Sequence, residues 1–191
     1  MVDIPKPSVE EVEKYLKQWD DLENYVNQEN SLDKLFFDLI PENKLIEDIL
    51  IKCSTLNDFY STNIFSIFPV AKHILQLDID KRLQEGDLTL VNDIANVEGI
   101  DRRFYSFASK YCSHHKPEQF PIYDSYVDKV LRHFRRADKF ASFKNEDLKD
   151  YVKFRNILGE FKSYYSLEQY SLKELDRYLW LLGKEYFKKQ Y

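Results

Sequence analysis

Asp124 stands in the stretch FPIYDSYV, between an apolar run and the start of an amphipathic segment. A carboxylate there can cap the following helix, accepting from backbone N–H groups at the positive end of the helix dipole. It can also be the acid on which a protein's chemistry turns, since the same helix end that caps can hold a carboxylate ionised. Upstream, RRFYSFASKYC carries a hydroxyl and an amine four residues apart, Ser106 and Lys110. If the stretch is helical they lie one turn apart.

The elements that would hold these groups read as helices. In 102–112 the apolar residues Phe104, Phe107, Ala108 and Tyr111 fall at i, i+3, i+4 and i+7, one helical face. Ser106 and Lys110 fall off that stripe, so Lys110 on its spacing reads as a solvated helix lysine. SHHKPEQ reads as a polar loop, with His114 and His115 exposed. In SYVDKVLRHFRR the inward positions are Val127, Val130, Leu131 and Phe134, leaving Lys129, Arg132, Arg135 and Arg136 mostly outward.

The rest of the chain continues in this manner. Ser8 and Glu11 form a capping box for a long amphipathic helix over 1–30, and Ser171 with Glu174 forms another near the C-terminus. Pro41 is placed to open a helix. LNDFYSTNIF, FPVAKHILQL, DIDKRLQE and DLTLVNDIAN each read as one short helix, and Asn145 as an N-cap. No segment alternates apolar and polar residues over a strand's length between turn signals. The expectation is an all-α protein of roughly nine or ten helices in a single domain over 1–191, with a helix-loop-helix core at 100–136 and a C-terminal helical pair at 145–191.

Net charge is −5, unevenly spread. Residues 1–101 carry nine cationic and 21 anionic side chains, a balance of −12; residues 102–144 carry ten and four, a balance of +6; residues 145–191 carry +1. The basic segment alone suits a polyanion. Cys53 and Cys112 lie far apart and cannot supply the four thiolates of a Cys-rich zinc or iron–sulfur site, so both read as buried apolar residues, with no metal and no cofactor expected. No window reaches the run of about 20 apolar residues of a spanning helix, and MVDIPKPSVEEVEKY has no signal-peptide core, which points to the cytoplasm.

Ser106-Phe107-Ala108, then Pro121-Ile122-Tyr123-Asp124, then Val127, Lys129, Val130 and Leu131 resemble the helix-hairpin-helix DNA glycosylase superfamily. Its members carry a Lys/Ser-Thr-Ala-type motif, a short loop, an apolar P-I/V-x-D and a helix of the type x-x-V-x-[KR]-V-L. The resemblance spans about residues 103–132, with a fainter echo in LNDFYSTNIFSIFPVAKHIL. The hairpin, which reads Leu-Pro-Gly-Val-Gly in the family, reads NVEGIDRRF here. Gly99 stands alone beside Glu98, which marks a divergent member.

The resemblance implies a compact two-lobed helical glycosylase-like fold and base excision repair: a hydrolase that cleaves the N-glycosidic bond of a modified or mismatched base in duplex DNA. It implies Asp124 as catalytic carboxylate and Ser106 at the place held by lysine in bifunctional members, hence base removal without strand cleavage. Lys110, 14 residues before Asp124, keeps lyase chemistry open. Arg102, Arg103, His114, His115, Lys116, Lys129, Arg135 and Arg136 are the expected nucleic-acid contacts, with Arg102 and Arg103 replacing the lost backbone clamp. Tyr60, Tyr105, Tyr123 and Tyr126 are the expected base pocket. Two alternatives stand beside this reading: a non-catalytic nucleic-acid-binding protein of the same fold, and a helical protein–protein interaction module.

Overall fold

Ser8 starts the first helix, its Oγ accepting from the Glu11 N–H at 3.3 Å, in a computed structural model that describes residues 4–187. Helix α1 spans Val9–Asp20 and buries Val12 and Tyr15. It does not continue through residue 30: Asp21 caps its C-terminus and α2, Glu23–Asp33, starts afresh. Asp20 and Asp21 place two negative charges at the negative end of the helix dipole, which disfavours extension. Helix α2 then runs into a π-helical turn, Lys34–Leu39.

Helices α3 (Ile46–Phe59), α4 (Ile67–Gln76), α5 (Ile79–Glu85), α6 (Leu90–Ala95) and α7 (Tyr105–His115) follow. After them come α8 (Ser125–Ala137), a 3-10 turn (Asn145–Lys149), α9 (Tyr151–Tyr164) and α10 (Leu172–Tyr186). The fold is all-α, with ten α-helices and no strand among the described residues.

Three expected helix starts move, each for a visible reason. Pro41 does not open a helix, because the carbonyls of Ile40 at 3.4 Å and Glu42 at 2.8 Å are spent on the Lys52 ammonium; α3 begins only at Ile46. LNDFYSTNIF is the end of α3 followed by a loop. There the Asn57 side chain accepts from the Ile64 N–H at 2.9 Å and the Thr62 hydroxyl at 2.7 Å, and Ser61 and Asn63 take left-handed φ of 48° and 56°. Asn145 opens only the 3-10 turn, and α9 is capped by Asp150, whose carboxylate accepts from the Lys153 N–H. Ser171 and Glu174 form the reciprocal capping box expected for α10.

By packing, the chain divides into two units. One is Met1–Glu23 with Tyr123–Tyr191, the other Asn24–Ile122. In the first, α10 packs against α1 and α8, burying Leu175, Tyr178, Leu179 and Leu182. Each such side chain contributes on the order of 1.5–3 kcal/mol of transfer free energy. Gly183 marks the closest approach: a Cβ there would lie 2.6 Å from the Tyr126 Cβ and 2.9 Å from its carbonyl oxygen. In the second unit α3 packs on α4, and α7 on α6 and α3. Helix α7 is its centre, with Tyr105 and every residue from Phe107 to His115 buried.

Candidate functional site

The burial of α7 on nearly all faces overturns the solvated reading of its polar residues. Lys110 is 3% exposed. Its ammonium donates to the Ser106 Oγ at 2.7 Å and lies 5.1 Å from the centre of the Tyr60 ring. A lysine is seldom taken out of water unless something is gained by it. The His114–His115 pair does not sit in an exposed loop either; the helix runs through both, and both are buried. They extend the apolar stripe by one more turn, since 111 plus three and 111 plus four are 114 and 115. That signal was present in the spacing and hidden by the residue type.

Two polar rows leave α7 on different faces. Ser106, Lys110 and His114 follow one another at four-residue spacing; Lys110 and His114 meet Tyr60, whose hydroxyl shares a 2.9 Å hydrogen bond with the His114 Nε2, and Ser106 joins through Lys110. This row joins hydroxyl, amine, imidazole and phenol within one unit. Ser106 and Tyr60 are partly exposed.

The second row, Tyr111 and His115, meets a network that the sequence reading missed entirely. Asn43 Oδ1 accepts from the Tyr111 hydroxyl at 2.5 Å and from the Lys52 ammonium at 2.6 Å. The Asn43 amide nitrogen donates to Asp80 at 2.6 Å and lies 3.2 Å from the His115 Nε2. Lys52, fully buried, is 3.4 Å from the same nitrogen. Flipping the Asn43 amide would set its NH₂ against two donors, so its orientation is fixed. His115 Nε2 likewise faces only donors and must accept, which puts the proton of the neutral ring on Nδ1. Burial first, then the charges of Lys52, His114 and Lys116, hold the His115 imidazolium well below its usual range. Burial pulls the Lys52 ammonium down to about 8.

In the other unit Asp124 is the N-cap of α8. Its Oδ1 accepts from the Tyr126 N–H at 2.9 Å, with extended backbone at φ −136° and ψ 156°. It is partly exposed. Tyr123 is buried, its hydroxyl donating to Asp128 at 2.9 Å, and Tyr126 is partly exposed.

The expected cationic contacts divide. Arg102 is exposed but spends its guanidinium on the carbonyls of Asn63 at 2.6 Å and Thr62 at 3.0 Å, pinning the loop after α3. Arg103 donates to Asn92 at 2.6 Å and stacks 4.5 Å from the buried Tyr105 ring. Arg135 donates to the Phe143 carbonyl at 2.7 Å. Lys129 lies 5.5 Å from the Tyr126 ring centre, while Lys116 and Arg136 are exposed. Gly99 adopts φ +76° in the α6–α7 turn, with nothing within 4 Å of where a Cβ would be.

Sequence reasoning also passed over Phe65. It is 99% exposed, next to the buried Ile64, on the loop that Asn57 and Arg102 hold. Cys53 and Cys112 are both buried, and burial pushes both thiols well up. No group of three or more His, Cys, Asp or Glu residues suited to a metal occurs among the described residues. No helix among them is long and apolar enough to cross a membrane.

A family model described as the HI_0787_N N-terminal domain matches residues 11–119. That span contains both polar rows of α7 and ends before Asp124. An uncharacterized protein of Haemophilus influenzae is 52% identical over 151 residues, which cover 78% of this chain and 72% of that protein. No solved structure matches.

Proposed function

We propose that this chain, which belongs to the HI_0787_N family, is a DNA glycosylase-like enzyme of the helix-hairpin-helix type that acts in the cytoplasm on a modified or mismatched base. The observation that carries the reading is the buried Lys110 amine on the Ser106 hydroxyl beside the Tyr60 face. It supports the resemblance at the motif where the family keeps its lysine or serine. Support for the rest comes from Asp124 at the N-terminus of α8 and from a helix-turn-helix, α6 to α7, whose turn holds Gly99 in the left-handed region.

In this reading positive charge builds on the sugar as the base departs, and the Asp124 carboxylate stabilises it while water attacks C1′. Water gives up a proton, the base takes one, and the product is an abasic site. Lyase chemistry through Lys110 would form a Schiff base: the amine replaces the base at C1′, one amine proton leaves with the base, and the other goes to O4′ as the C1′–O4′ bond breaks and the sugar ring opens. The exposed Phe65 suits insertion into a base stack opened by extrusion of the target. Lys116, Lys129 and Arg136 are the phosphate contacts of this reading.

The test is base release from duplexes carrying uracil, oxidised, alkylated and mismatched bases, by wild type, Asp124→Asn and Lys110→Ala. Wild-type release that Asp124→Asn lowers by about two orders of magnitude or more supports the reading. Borohydride trapping of a covalent adduct, lost in Lys110→Ala, assigns the amine. No release from any duplex, or equal release by wild type and Asp124→Asn, overturns it. A second reading, a helical interaction module, is favoured by the exposed apolar residues of the Asn24–Ile122 unit, among them Phe65, Leu39 at 64%, Leu45 at 59% and Phe68 at 57%. That reading gains if the protein neither releases base nor binds duplex.

A further inference from the structure

Asp128 carries a charge that an ordinary helix would leave in water. It sits one turn into α8, only 6% exposed, and its two oxygens are taken. Oδ2 accepts from the Tyr123 hydroxyl at 2.9 Å and lies 3.8 Å from the Lys149 ammonium; Oδ1 accepts from the Arg132 guanidinium at 3.2 Å. Lys149 also donates to the Tyr123 hydroxyl, which is thus held from both sides. The Tyr123 ring is buried and packs edge-on against Phe154, centres 5.4 Å apart.

The arrangement brackets one residue. Tyr123 immediately precedes Asp124, and the Asp128 N–H donates to the Asp124 carbonyl at 2.9 Å. The buried carboxylate therefore anchors the residue just before the N-cap, while the Asp128 N–H makes the ordinary first backbone bond of the helix after it. A cap does not need the residue before it to be anchored by a buried carboxylate, because its side-chain hydrogen bond is local. A side chain that must point at a reacting atom does need it, since small misplacements of reacting groups cost large factors in rate. Two cations, Arg132 and Lys149, flank Asp128, so the tie adds no net negative charge beside Asp124.

We propose that Asp128, acting through Tyr123, is a positioning residue that fixes the aim of the Asp124 carboxylate. The functional half of this rests on the glycosylase reading; the geometric half does not. Tyr123→Phe removes one hydroxyl and keeps the ring, so the unit still folds. Amide exchange of the Tyr126 N–H, which the Asp124 side chain accepts, reads the cap directly.

In Tyr123→Phe that exchange is expected to quicken about fivefold, the size of a side-chain N-cap's contribution, while amides in the middle of α10 such as Leu179 keep their wild-type protection. On any duplex from which wild type releases base, kcat is expected to fall about 10- to 100-fold with KM unchanged. Asp128→Glu, which keeps the charge, recovers part of what Asp128→Asn loses.

Unchanged Tyr126 exchange in Tyr123→Phe overturns the proposal, as does quickened exchange with unaltered release. Absence of base release by wild type overturns the glycosylase reading, and with it the functional half, while the exchange measurement still decides whether the tie holds the cap. Loss of protection throughout α10 in Tyr123→Phe means a general packing role and overturns it too.

Discussion

Acid should unfold the Asn24–Ile122 unit through one imidazole. His115 Nε2 faces the Asn43 amide donor at 3.2 Å and the Lys52 ammonium at 3.4 Å, so a proton added there meets two donors, one of them cationic. Lys52, pulled down only to about 8, is still charged below neutrality. The folded pKa of His115 is depressed, so below its unfolded value of about 6.5 the unfolded chain binds the proton that the folded chain refuses. Stability contributed by the neutral ring is complete above that value and is lost as pH falls through it. One such site loses about 1 kcal/mol between pH 6.5 and 5.5, and ~1.4 kcal/mol for each further unit while the folded ring stays neutral. Lys52, His114 and Lys116 all oppose protonation. The assay is urea unfolding at half-unit steps from pH 7.5 to 5.0 for wild type and His115→Gln, whose amide oxygen can accept but not titrate. Both tryptophans, Trp19 and Trp180, belong to the other unit, so the transition is followed by far-UV circular dichroism. Carboxylates common to both proteins cancel in the difference. The wild-type curve should fall away from the variant's by the amounts above; parallel curves across this range would refute the buried, accepting imidazole.

Gly183→Ala should cost about 1–3 kcal/mol, because the added methyl meets the Tyr126 backbone and Cβ, and α8 and α10 must part to admit it; a melting temperature equal to wild type would contradict this contact. Tyr178→Phe should do the opposite. The Tyr178 hydroxyl is buried with no hydrogen-bond partner among the described residues, and burial drives its pKa up, so removing it should raise stability by about 1 kcal/mol. Thermal melts of the two variants side by side check both signs.

What the chain discloses in advance follows from how local each cause is. The Ser171–Glu174 box is decided within four residues and was readable. So was the stripe Phe104, Phe107, Ala108, Tyr111, because a 3.6-residue period needs only one buried side. Asp21 ended α1 by an equally local effect, present in the pair Asp20-Asp21 but outweighed in the reading by the apolar period on either side. Pro41 misled because its segment is governed by Lys52, 11 residues later. The Asn43–Lys52–His115–Asp80 network left no trace in the pattern, since its members come from four separate stretches, each ordinary alone. Lys110 belongs to the same class: its distance from the apolar stripe is correct, but a helix packed on most sides has no solvent face to offer it.

Those two buried amines bear differently on function, and the difference lies in what surrounds them. Lys52 is enclosed by acceptors whose removal would unpin residues 40–43, and its neighbour His115 is locked in one tautomer; that is a structural knot with each donor and acceptor assigned. Lys110 belongs to a row whose ends, Ser106 and Tyr60, are partly exposed. The first network closes on backbone carbonyls and so serves the fold, whereas the second joins four side chains of different chemistry, hydroxyl, amine, imidazole and phenol. The second arrangement is therefore the one that asks for a chemical purpose. In the other unit the same reasoning separates Asp128, closed off by Tyr123, Arg132 and Lys149, from the partly exposed Asp124 that its tie holds in place. In that unit an enclosed carboxylate holds geometry next to one that stays partly exposed, and it is Asp124 on which base release should depend.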